Sequence, residues 1–384
     1  MRRTITLLLC LAAASSLAAQ TTINSTIQSG GLTRDYRLYV PAIYNGTTSV
    51  PLVLNLHGYT SNNQQQEFYG DFRPIADTAN FLVVHPNGTM DPNGNRFWNT
   101  FNGGSAVDDV AFLSALIDTL QATYNIDPNR IYSTGMSNGG FMSYTLACEL
   151  NDRIAAIASV TGSMTAANLA ACQPARPVPV MEIHGTADNI VPYNGANTLV
   201  SIPTLVAAWV AFNHANPTPV VTPVPNTSTT DGATAEHYLY GGGDNGSTVE
   251  HYKIIGGGHT WPGAFPVGVT NQDFSASREI WRFFSQYRLD ELTAAGEPVI
   301  NVAHWSASPN PFGSYLVLQT NTPGATAERV QVYDAVGRLV QATEPGVGEQ
   351  TVRLAATDWA NGLYVVVITA KGKTERVRVI KKNR

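Results

Sequence analysis

Residues 130–141 read Arg-Ile-Tyr-Ser-Thr-Gly-Met-Ser-Asn-Gly-Gly-Phe. They predict a strand, one very tight turn and a helix, with Ser137 on the turn. Gly135 and Gly139 flank it in a Gly-x-Ser-x-Gly pattern. Side chains two residues either side of such a turn would strike the neighbouring strand and helix, so glycine is required there. The turn lifts the Ser137 hydroxyl to the C-terminal edge of a sheet, where the first N–H groups of the helix favour negative charge. A Gly-rich turn that merely exposes a serine fits the same five residues. The order of the later acidic and histidine residues decides between the two readings.

Strand-like apolar runs at residues 36–40, 52–56, 81–85, 154–160 and 178–184 alternate with helical stretches at residues 108–124, 202–213 and 274–287. The second run is almost continuously apolar, as in a sheet buried on both faces. This order implies an α/β fold with a mostly parallel sheet covered by helices on both sides. The run at 52–56 ends in His57-Gly58-Tyr59-Thr60. Tyr59 is the expected backbone N–H donor to an oxyanion, with Thr60 its competitor and the Asn138 N–H the second donor. His57 is expected to brace this loop. Asp108 reads as a helix N-cap, and Asp109 adds charge favourable to the helix dipole.

Asp188 falls just past the strand at 178–184, where the acid partner of a nucleophilic serine belongs. An Asx-turn role is the plainer alternative. His259 comes later on a glycine-rich loop, residues 256–263, and is the expected general base; His237 and His251 sit in strand-like segments and read as structural. The order Ser137, Asp188, His259 is that of an α/β-hydrolase. Trp98 and Trp261 lie on loops at this edge. Each either walls a substrate cleft or covers the core. Residues 215–231 are expected to be a surface loop rich in Pro and Thr, and residues 235–240 and 248–255 a pair of edge strands.

Met1-Arg2-Arg3, the apolar run at residues 7–14 and the small residues before Gln20 predict a secretory signal over residues 1–19, and no stable membrane insertion. Its removal leaves Cys148 and Cys172, which in an oxidising compartment favour one bridge over two buried thiols. No Cys–His spacing suggests a zinc site, and the chemistry needs no metal or cofactor. The chain has 23 Lys and Arg, 28 Asp and Glu and a formal net charge of −5 at pH 7, with no basic surface interleaved with aromatics to suggest nucleic-acid binding.

The motifs Leu56-His57-Gly58-Tyr59, Phe97-Trp98-Asn99, Val107-Asp108-Asp109-Val110, the Ser137 turn, His184-Gly185-Thr186-Ala187-Asp188 and Gly258-His259-Thr260-Trp261-Pro262 resemble those of the family 1 carbohydrate esterases and the related secreted polyhydroxybutyrate depolymerases. The resemblance covers residues 33–287. It implies hydrolysis of carboxylic esters through an acyl-enzyme, on feruloyl or acetyl groups of plant xylan or on hydroxyalkanoate polyesters. A disulfide near Cys148 and Cys172 is in keeping with such relatives. A serine peptidase related to prolyl oligopeptidase is the more distant alternative.

Composition shifts after residue 294. Residues 295–384 carry ten basic and seven acidic side chains and several short β-rich segments, which predict a small β-sandwich. Domains are therefore expected at 20–294 and 295–384. Ser308-Pro309-Asn310-Pro311-Phe312, Val332-Tyr333-Asp334-Ala335-Val336-Gly337-Arg338, Asn361-Gly362-Leu363-Tyr364 and Lys381-Lys382 resemble the carboxy-terminal sorting domain of type IX secretion. That implies secretion machinery as the partner of residues 295–384, and release from the cell or display on its surface. A polymer-binding module is the competing reading.

Overall fold

The computed structural model describes residues 20–100, 105–293, 305–320, 326–334, 338–346, 349–370 and 373–382. The export signal expected over residues 1–19 lies outside them, as do Ala335, Val336 and Gly337 of the expected turn. The chain divides into two compact units, Met1–Ala295 and Gly296–Arg384.

The first unit runs β1 (Thr21–Ser29), β2 (Leu32–Val40), β3 (Val50–Leu56), α1 (Asn63–Tyr69), α2 (Arg73–Ala79), β4 (Leu82–Pro86), β5 (Thr89–Met90), β6 (Arg96–Phe97), α3 (Asp109–Thr123) and β7 (Ile126–Met136). It continues with α4 (Asn138–Glu149), β8 (Ala156–Val160), α5 (Ala166–Ala171), β9 (Val180–Gly185), α6 (Ile202–Phe212), β10 (Val220–Pro223), β11 (Thr234–Tyr240), β12 (Val249–Ile255), α7 (Ala276–Phe284) and α8 (Leu289–Thr293). Ten strands form one sheet in the order β1-β2-β4-β3-β7-β8-β9-β12-β11-β10. The stretch from β4 to β12 is parallel throughout, and the strands beyond it on each side pair antiparallel. This is an α/β-hydrolase sheet.

Side chains alternate across the sheet. Leu52, Leu54 and Leu56 of β3 enter one core with Phe112 and Leu116 of α3 and Trp209 of α6. Val53 enters the other with Phe72, Ile280 and Phe283. Burying each such side chain contributes about 1.5–3 kcal/mol. In α3 the buried positions Phe112, Leu113, Leu116, Ile117 and Leu120 recur at helical spacing, and Asp108 caps the helix by accepting the Ala111 N–H at 2.8 Å. Asp109 does more than complement the dipole. It forms a buried ion pair with Arg34 at 2.6 Å and accepts the Asn99 N–H at 2.8 Å, tying the loop after β6 to the sheet.

Two expectations need correction at the sheet edges. β12 is not an edge strand, because it pairs parallel with β9 as well as antiparallel with β11. The edge is β10, which forms inside the Pro/Thr-rich stretch and is exposed at every residue, so no apolar pattern marked it. At the opposite edge, β1 folds back on β2 through Gly30 and Gly31, both with positive φ. Cys148 and Cys172 form the expected disulfide, joining the end of α4 to the residue after α5. Closing a loop of that length contributes about 3 kcal/mol.

The second unit is a sandwich of two antiparallel sheets. One holds β13 (Trp305–Ser308), β14 (Tyr315–Thr320) and β17 (Thr351–Ala355). The other holds β15 (Arg329–Asp334), β16 (Leu339–Thr343), β18 (Gly362–Ala370) and β19 (Lys373–Lys381). Alternate residues such as Leu316, Leu318, Val330, Val332, Val366 and Ile368 fill the space between. Phe312 packs edge-on against Trp359 and Tyr364, and buried Lys381 donates to the Gly313 carbonyl at 2.7 Å.

Candidate active site

The chain turns at Ser137 from β7 into α4, with φ 53° and ψ −119° at the serine. A Cβ on Gly139 would stand 2.1 Å from the Leu56 carbonyl oxygen, and one on Gly135 would stand 2.6 Å from the same oxygen and from the Gly139 carbonyl carbon. The strand and helix that leave no room for side chains at these two positions are β3 and α4. The Asn138 N–H opens the helix, where no preceding turn supplies an acceptor. The Asn138 side chain is occupied elsewhere: its Oδ1 accepts the Trp98 N–H at 2.6 Å and its Nδ2 donates to the Trp98 carbonyl at 3.1 Å.

The loop after β3 runs alongside. The Thr60 N–H donates to the Arg96 carbonyl at 2.9 Å and is therefore engaged. The Tyr59 N–H takes no acceptor among the described residues, and the Tyr59 hydroxyl donates to Asp91 at 2.7 Å. His57 braces this loop, as expected. Its Nδ1–H donates to the Gly58 carbonyl at 2.7 Å and its Nε2 accepts the Gly88 N–H at 2.9 Å. Burial lowers its pKa to about 4, so the ring stays neutral.

β9 ends at Gly185, where a Cβ would meet the Gly257 carbonyl oxygen at 2.2 Å. That close approach brings Asp188 to the His259 loop. The His259 Nδ1–H donates to Asp188 Oδ2 at 2.7 Å, leaving Nε2 free to take a proton. Asp188 Oδ1 accepts the N–H groups of Ile190 and Val191 at 2.9 and 2.8 Å. Burial raises the carboxyl, but hydrogen bonds and charge from His259, with the Val191 N–H, outweigh it and hold Asp188 below its ordinary value. The Asx-turn alternative is also realised, since the carboxylate that accepts from His259 accepts the Ile190 and Val191 N–H groups as well.

Ser137 and His259 line one cleft of about 390 Å³, walled by Tyr59, Phe68, Tyr69, Phe265 and Val267. Trp98 and Trp261 do not wall it. Both are core residues, 0% and 1% exposed. Their indole N–H groups are satisfied internally, Trp98 by the His57 carbonyl at 3.0 Å and Trp261 by Ser277 Oγ at 3.2 Å. The walls were missed in the sequence because α1 and the loop after His259 are polar or Pro/Gly-rich. The apolar residues 265 and 267, isolated in that loop, were the available signal. Among the described residues no cluster of His, Cys, Asp and Glu is arranged to hold a metal ion.

Residues 34–222 match the family model described as Esterase PHB depolymerase. That span holds the Ser137 turn and most of the parallel sheet. Ser137 and Asp188 lie within the matched span and His259 beyond it. Residues 306–382 match the secretion system C-terminal sorting domain, which assigns the chain to type IX secretion and to the cell surface or the medium. Among the described residues no helix is long and apolar enough to cross a membrane.

The chain is 29% identical over 274 residues to a bifunctional acetylxylan esterase/xylanase of Neocallimastix patriciarum, covering 71% of this chain and 36% of that protein. It is 33% identical over 157 residues to feruloyl esterase B of Piromyces equi, covering 40% of this chain and 29% of that one. The chain thus spans about a third of the length of these two relatives. In fold it matches an acetyl xylan esterase from Aspergillus awamori with a TM-score of 0.51 at 15% identity, over 69% of this chain and 99% of the other.

Proposed function

We propose that the esterase domain is a serine carboxylic-ester hydrolase that works through an acyl-enzyme, outside the cell, on feruloyl esters of plant polysaccharide. The observation that carries the chemistry is the 2.7 Å bond from His259 to Asp188, beside a cleft that His259 shares with a serine at positive φ. His259 Nε2 takes the Ser137 proton as Oγ attacks the ester carbonyl. The N–H groups of Tyr59 and Asn138 receive the oxyanion, each worth roughly 2.7–4 kcal/mol in the transition state. His259 then protonates the departing alcohol. Water, deprotonated by the same ring, releases the acid and returns the proton to Ser137. Asp188 holds the imidazole in its Nδ1–H tautomer and stabilises the transient imidazolium.

The cleft walls support the acyl group. Phe68, Tyr69, Phe265 and Val267 give an apolar, aromatic slot larger than an acetyl group needs. The related feruloyl and acetylxylan esterases support a polysaccharide ester. Exposure of Phe68 and Phe265, 68% and 70%, favours a second reading, a polyester chain lying across the rim, in keeping with the matched family's description. Initial rates on methyl ferulate, acetylated xylan and hydroxybutyrate oligomers separate these. The feruloyl reading expects methyl ferulate to be fastest and Phe68→Ala or Phe265→Ala to raise its KM severalfold. Faster turnover of hydroxybutyrate oligomers, lost in the same variants, overturns it in favour of the polyester. Faster turnover of acetylated xylan overturns both.

A further inference from the structure

A second histidine–carboxylate pair lies behind Asp188, and the proposed ester chemistry does not use it. Glu182 and His184 alternate with Met181 and Ile183 along β9, so both face the same side of the sheet, toward α4. Glu182, His184 and Tyr144 of α4 are each 0% exposed. The Tyr144 hydroxyl donates to Glu182 Oε2 at 2.7 Å, and His184 Nδ1 lies 2.8 Å from Glu182 Oε1. On the other side of the ring, Nε2–H donates to the Val191 carbonyl at 2.8 Å and stands 3.4 Å from Asp188 Oδ2. Val191 is therefore held at both ends: its carbonyl by His184, its N–H by Asp188.

We propose that His184 is a buried imidazolium, locked between Glu182 and the Val191 carbonyl, and that it is a positioning residue for Asp188 whose charge extends the working range of the site toward acid. The proposal rests on reading Asp188 as the carboxylate that orients His259. Two features favour the proton on the ring over the Glu182 carboxyl. Oxygens face both ring nitrogens, and Tyr144 already donates to the second oxygen of Glu182. The anionic Asp188 beside Nε2 favours positive charge there. Burial opposes a charge on this ring, but Glu182, the Val191 carbonyl and Asp188 together raise His184 above the ordinary histidine range. Burial pushes the Glu182 carboxyl up, against the bonds from His184 and Tyr144. On the neighbouring strand, His251 and Lys253 pair in register with Glu182 and His184, and the Tyr193 ring packs edge-on to His184. His251 supplies no charge: its Nδ1–H donates to the Glu182 carbonyl, and burial lowers its pKa to about 3.

An imidazolium here stabilises the Asp188 anion and opposes a second positive charge on His259, so the base stays available as pH falls. Glu182→Gln tests this with little change of shape. The amide donates to Nδ1, His184 keeps its Nε2–H bond to Val191, and the ring becomes neutral. Nitrogen-15 spectra of histidine-labelled full-length protein should contain one histidine with both ring nitrogens protonated at about pH 8, beyond the ordinary histidine range. That signal should vanish in Glu182→Gln and in His184→Asn; if the latter does not fold, the Glu182→Gln change alone assigns it. The acid limb of kcat/KM for p-nitrophenyl acetate should move to higher pH by roughly one unit in Glu182→Gln, with little change in Tm. A wild-type spectrum in which His184 carries one proton at pH 7 overturns the proposal. So does a lost imidazolium signal with an unmoved acid limb. The spectra need no turnover, so they are independent of the triad reading, which fails separately if Asp188→Asn leaves kcat intact.

Discussion

Ser137 is held in a backbone conformation that a side chain seldom adopts, and the surrounding contacts fix it there: its N–H donates to the Val160 carbonyl at 2.8 Å and its carbonyl accepts the Phe141 N–H at 3.0 Å. Asp188 is equally fixed, with each carboxylate oxygen spoken for. Replacing it with Asn keeps the volume and the Ile190 and Val191 bonds, but the amide favours the wrong imidazole tautomer. We expect Asp188→Asn to lower kcat on the order of 10⁴-fold with an unchanged circular dichroism spectrum; a loss below about tenfold would contradict the assignment. The residues of the proposed triad were legible in the sequence, because each sits at a strand end or loop whose order in the chain carries the meaning. The cleft walls were not. An indole on a loop beside the site reads the same whether it faces solvent or core, and only three-dimensional packing separated Trp98 and Trp261 from Phe68 and Phe265.

Where strands meet helices the constraint becomes steric. β3, β7 and α4 approach so closely at the Ser137 turn that the 139 position has no room for a methyl group. Gly139→Ala must displace backbone, so it should cost at least about 2 kcal/mol in urea unfolding and abolish turnover. Gly241→Ala, where nothing lies within 4 Å of the added carbon, is the control and should be neutral. A Gly139→Ala variant as stable and active as the parent would contradict the geometry. Parallel strands with continuous apolar runs were readable from the chain, since burial on both faces leaves no other pattern. The edge strands β1 and β10 were not, because their exposed residues carry no periodic apolar signal.

Three neutral histidines, His57, His85 and His251, are stored in the interior of the first unit, and they weaken its fold in acid. Burial lowers His57 to about 4 and His85 and His251 to about 3. The unfolded chain, titrating near 6.5, then binds more protons than the folded one below that pH. Stability from these groups is complete above about pH 6.5 and falls as pH drops toward 4 and then 3. Each should withdraw roughly 2 kcal/mol by pH 5. Urea midpoints at pH 8, 6 and 5 check this, and a midpoint that does not fall would contradict it. The split into two units, the second matching a sorting domain, was foreshadowed by the change in composition and the two sets of motifs. Everything proposed for the esterase depends on Ser137 being the nucleophile. Treating the full-length protein with an alkyl fluorophosphonate and mapping the adduct by mass spectrometry decides that point. One stoichiometric adduct is expected on Ser137, absent in Ser137→Ala and formed far more slowly in His259→Ala. Inactivation with the adduct on any other serine would contradict it.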